Sequence, residues 1–86
     1  MIVMQVSRMK QDLSPAQQQA FSAELERFYS SPPTDLAVLT DHVAVDQSRS
    51  FTLIEVSGME RLREINEPFA PFVDYEAFEV RPATKE

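Results

Sequence analysis

The chain has 86 residues, 43% of them hydrophobic and 26% charged, with 8 Lys and Arg against 14 Asp and Glu, a net charge of −6, and no Cys. That length allows one domain. The lack of Cys removes disulfide frameworks, thiolate metal sites and cysteine nucleophiles, and the acidic balance argues against a nucleic-acid groove or an anionic membrane surface.

No apolar run approaches the roughly 18 to 20 residues of a membrane span. No basic leader precedes an apolar stretch and a small-residue cleavage site. The expectation is a soluble cytoplasmic domain over residues 1–82, with a polar tail over 83–86.

Met1 to Met9 reads as a strand of period two, with Ile2, Met4 and Val6 forming a wholly apolar side. Ser14, Pro15 and Gln17 then make a capping box with proline at the first helical position. The helix they start should run to about Tyr29. Phe21, Leu25 and Phe28 fall on one stripe of it, and Pro32-Pro33 bars its continuation.

Leu36 to Val45 and Phe51 to Val56 read as the second and third strands, joined by a turn at Gln47 to Ser50. With Asp46 opposite Phe51, His42 faces Glu55 and Val43 faces Ile54, and like charges are kept apart. Ser57-Gly58-Met59-Glu60 reads as a second capping box. The helix after it should run to about Asn66, with Met59, Leu62 and Ile65 inward and Asn66 a further candidate for that side. Phe69 and Phe72 flank Pro71 as a plug at the end of the core. Val73 to Arg81 is the fourth strand.

This order, βαββαβ, is that of a ferredoxin-like α+β domain: a four-stranded antiparallel sheet with two helices on one face. The expected spatial order is fourth-first-third-second. Ile2, Met4, Val6, Ile54, Val56 and Phe78 should then meet the helices. Asp41 falls among them, which points to a bulge near it. The open face would carry Val3, Gln5, Val38, Thr40, His42, Phe51, Leu53, Glu55 and Tyr75. About half of that face is apolar, and soluble monomers seldom leave such a patch in water. Homodimerisation or binding of a protein partner through it is expected.

The runs FTLIEV (51–56) and PFAPFVDYEAFEVRP (68–82), with the short helix between them, resemble small dimeric α/β-barrel proteins of unknown function. They are similar, more distantly, to muconolactone isomerase. The resemblance implies a homodimer whose sheets face each other, sometimes around a small-molecule cavity. It carries no catalytic set: the positions nearest to that enzyme's first-strand carboxylate are Gln5 and Val6, and neither can act as a base.

His42 and Glu55 are the one candidate catalytic pair. An imidazole beside a carboxylate could move a proton α to a carbonyl or orient a polar ligand; the plainer alternative is an exposed pair at a sheet edge or dimer rim. Gln5, Thr40 and Tyr75 could serve either a small pocket or a dimer seam. Five acids lie between Glu64 and Glu79 without an EF-hand loop, so no metal is expected. No phosphate loop is possible with Gly58 as the only glycine, and no cofactor is expected. The residues favour an interaction domain. The alternative is a cofactorless isomerase-like or monooxygenase-like enzyme, with its small-molecule site in a dimeric barrel.

Overall fold

The computed structural model describes residues 1–84; of the polar tail, Lys85 and Glu86 lie outside the described residues. The elements are β1 (Ile2–Met9), α1 (Pro15–Ser30), β2 (Leu36–Val43), β3 (Ser50–Val56), α2 (Met59–Asn66), a 3-10 turn (Glu67–Phe69) and β4 (Val73–Glu79). The strands form one antiparallel sheet in the order β2-β3-β1-β4, the expected ferredoxin-like arrangement.

At the start of α1 the capping box is complete. The Gln17 amide N–H donates to Ser14 Oγ at 3.1 Å, and the Ser14 amide N–H donates to Gln17 Oε1 at 2.8 Å. The second box does not form. Gly58, not Ser57, is the N-cap of α2, and no side chain caps that end.

The β2–β3 register differs from the expected one. The turn lies two residues earlier, at Val45 to Ser48, because Asp46 belongs to it and not to the strand. Asp46 Oδ1 accepts from the Ser48 amide N–H at 2.9 Å, an Asx turn, and Gln47 takes φ 64°. The Ala44 amide N–H then donates to the Arg49 carbonyl at 2.9 Å. His42 therefore pairs with Phe51, and Glu55 pairs with Ala37. The anticipated bulge is present, between Val38 and Thr40.

The faces of β1 and β4 are also reversed from expectation. Val3 pairs with Ile54, so the helix-facing side of β1 is Val3, Gln5 and Ser7. In β4 it is Val73, Tyr75 and Ala77, which sit across from Met9, Ser7 and Gln5. Ile2, Met4, Val6 and Phe78 point away from the helices. The more apolar side of β1 is thus the side no helix covers.

The core is small and lies to one end. Val3, Ile54, Val56 and Leu62 are buried together, with Leu36, Ile65 and Ala77 packed around them. No residue of α1 is buried. That helix is held through aromatic edges instead: Phe21 stands 6.3 Å from Phe69 and 5.6 Å from Phe72, and Phe28 stands 5.9 Å from Phe69. The expected Phe69–Phe72 plug is therefore also the bracket that fixes α1.

The result is a slab of 49 × 30 × 19 Å with a radius of gyration of 13.8 Å. A compact chain of this length would have about 12 Å. Its accessible surface is 6456 Å², against about 5,200 Å² for a typical monomer of the same mass.

Candidate functional site

The sheet has two faces of opposite character, and each is a candidate site. On the helix side, a cavity of about 230 Å³ lies between the sheet and α1. Its roof is the α1 stripe of Phe21, Leu25 and Phe28, together with Phe69. Its floor is mixed: Gln5 and Ser7 from β1, Asp41 from β2, Ser50 and Thr52 from β3 and Tyr75 from β4 supply polar groups among Leu36, Val38, Ile54 and Val73.

The floor is ordered by its own hydrogen bonds. Asn66 Nδ2, at the end of α2, donates to Gln5 Oε1 at 2.9 Å, and Gln5 Nε2 donates to Asn66 Oδ1 at 3.4 Å. The reciprocal pair fixes both amides. Thr52 Oγ1 donates to Asp41 Oδ1 at 3.0 Å. Among the described residues no buried side-chain polar atom lacks a partner. The cavity reaches solvent where exposed Tyr29 and Val38 line it.

On the open side, the registers place residues in rows across β2, β3, β1 and β4. One row runs Thr40, Leu53, Met4, Phe78 and the next runs His42, Phe51, Val6, Glu76. The row before them contains Ala37, Glu55 and Ile2. Arg8 stands beside Asp74 at the far end. The Arg49 guanidinium lies 5.7 Å from the centre of the Phe51 ring, which fixes it on the same face. Leu53, Met4, Val6 and Phe51 form a central apolar block, and Phe78 is 52% exposed at its edge.

The residues expected to share the open face are divided between the two faces. Thr40, Phe51, Leu53, His42 and Glu55 are on the open face. Val3, Gln5, Val38 and Tyr75 are on the helix face, where Gln5, Val38 and Tyr75 do meet around one cavity. His42 and Glu55 are not neighbours. Four residues of β3 separate their rows, about 13 Å at ordinary strand rise, and both side chains are exposed. The proton-transfer pair expected from the other register is not assembled.

Asp41, Ser50, Thr52 and Asn66 were not expected at a site. The signal for two of them, Ser50 and Thr52, is present in the strand periodicity. On the parity of Ile54 and Val56, β3 turns polar at Thr52 and Ser50; on the parity of Val3, β1 turns polar at Gln5 and Ser7. A face that changes character midway along two paired strands marks a core that is only half filled.

Two carboxylates outside the cavity are tuned by local bonds. Arg61 grips Asp35 with two donors, Nε at 2.6 Å and Nη2 at 3.1 Å, tying α2 to the start of β2. That hydrogen bond holds the Asp35 carboxyl below its ordinary range. The Asp46 carboxyl is lowered as well, chiefly by its bond to Ser48. Both are surface groups that hold the fold in register.

These features define a small ferredoxin-like α+β domain with one half-covered sheet and one internal hollow. The chain belongs to the family described as Domain of unknown function (DUF3303), whose model matches residues 1–85. No curated protein matches it. None of the helices described is long and apolar enough to cross a membrane.

Proposed function

We propose that this chain is an interaction domain that pairs with a second copy of itself through the open sheet face. The observation that carries the reading is the orientation of β1: its apolar side, Ile2, Met4 and Val6, faces away from both helices. The chain exposes roughly 1,300 Å² more surface than a monomer of its mass typically does. One standard interface removes about 800 Å² per partner, so a single face-to-face contact accounts for much of the excess.

A second copy fits the pattern of the face. Sheets stack about 10 Å apart with their strands nearly aligned. Under a two-fold axis across the strands, Leu53 meets the other copy's Phe51 and Met4 meets its Val6. The same operation sets Glu55 of each copy against Arg49 of the other. On the central strands β3 and β1 apolar residues meet apolar residues and opposite charges meet at the end, while on β4 Phe78 falls against Glu76, so the self-complementarity lies in the middle of the face. The resemblance to dimeric α/β-barrel proteins supports the same reading.

The test is solution mass by light scattering over a concentration series. The monomer is 9.8 kDa, and twice that mass is expected at micromolar concentration. Leu53→Asp, which places a charge at the centre of the contact, should return the monomer with its circular dichroism unchanged. A wild-type chain that stays monomeric at millimolar concentration would refute the reading.

A further inference from the structure

We infer that the cavity under α1 is a binding site for an uncharged, planar small molecule with a hydroxyl or carbonyl group at one end. It lies on the opposite side of the sheet from the self-association face and does not depend on that contact.

Size sets the first limit. An engineered apolar cavity of about 150 Å³ takes up benzene. The space here is about 230 Å³, which suits a bicyclic body of on the order of 10 to 15 heavy atoms. Shape and chemistry set the second. The edge-on rings of Phe21, Phe28 and Phe69 offer an aromatic roof to a flat molecule. The floor opposite offers donors and acceptors already held in place, in the Gln5–Asn66 amide pair and the Thr52 hydroxyl, with Tyr75 beside them. Groups fixed before binding lose little freedom on binding.

Charge sets the third limit. Among the described residues no Lys, Arg or His lines the cavity, and its one ionisable acid is Asp41. A carboxylate or phosphate there would give up its water beside the like charge of exposed Asp41 and find no counter-ion in the lining. A neutral hydroxyl or carbonyl instead finds partners on the floor. The cavity therefore selects neutral aromatic ligands over their anionic analogues.

The experiment is an amide NMR titration of the wild-type chain with two probes that share one ring system, 2-naphthol and 2-naphthoate. Saturable shifts at Gln5, Ser50, Thr52 and Asn66 are expected with 2-naphthol, with affinity at least tenfold weaker for 2-naphthoate. Leu25→Trp, which fills the hollow from the roof, should weaken 2-naphthol binding at least tenfold. Ser50→Leu fills it from the floor and serves the same purpose if Leu25→Trp does not fold. Equal affinity for the two probes would overturn the inference. So would equal affinity in the filled variant, shifts centred on Met4 and Leu53, or no saturable shift at all.

Discussion

The two halves of the helix-facing sheet surface are built differently. Beneath α2 the sheet offers Val3, Ile54 and Val56, and Leu62 closes on them until it is 2% exposed. Beneath α1 it sets the hydroxyls of Ser7, Ser50 and Thr52 among Val38 and Val73, and the helix stands off although its own stripe is Phe21, Leu25 and Phe28. An apolar helix stripe packs down only where the floor is also apolar. Over a polar floor, close packing would strip water from hydroxyls and amides without replacing it. The α1 half therefore keeps a hollow, and its stability rests on aromatic edges at Phe69 and Phe72.

The sharpest way to break this contrast is to truncate one leucine in each half. Leu62→Ala should cost about 2 to 5 kcal/mol, while Leu25→Ala should cost no more than about 1 kcal/mol because little area is lost. Urea unfolding at one fixed protein concentration would read both, since self-association shifts the midpoint. Adding volume should reverse the order. Val56→Leu forces a methylene into the filled half and should cost about 1 to 3 kcal/mol. Ser50→Val adds apolar surface over the hollow and should stabilise by about 0.5 to 1 kcal/mol, read in the same urea series.

Smaller effects test the fastening of α2 to the sheet. The Asp35 carboxyl is lowered by Arg61, so its contribution is present above the ordinary carboxyl range and is lost as pH falls through its lowered value. Arg61→Gln should lower the urea midpoint slightly at pH 7, and the difference from wild type should shrink towards pH 3. The smallest effect is at Gly58, where an added Cβ meets nothing within 4 Å and the backbone is already extended. Gly58→Ser supplies the missing cap of α2 and should raise stability by a few tenths of a kcal/mol.

Element order, both helices and the sheet order were legible because they depend on local signals: Ser14 and Gln17 for a start, Pro32 for a stop, and period-two runs for strands. The facing of β1 was not. Apolar content alone turns its Ile2, Met4 and Val6 side towards the helices. The structure fixes the side by pairing, with Val3 opposite Ile54, and apolar content cannot reveal this when the side away from the helices is the more apolar one. The hairpin register failed for a different reason. By its sequence position Asp46 reads as a strand residue, whereas its carboxylate makes the turn, and that shift alone separates His42 from Glu55. Gln5 and Tyr75 stand out by their chemistry and do line one cavity, whereas the place of Thr52 beside them follows only from the correct facing.

The bulge between Val38 and Thr40 bears on what this chain must avoid. β2 is an edge strand, and Val38, Leu39 and Val43 on it are all exposed. A straight, apolar edge of that kind is a template for end-to-end polymerisation. The unpaired residue at Leu39 interrupts the ladder and twists the strand away from a would-be neighbour. On the opposite edge, β4 presents Asp74, Glu76 and Glu79, which repel an identical strand. Both margins thus carry features that oppose the addition of a further strand.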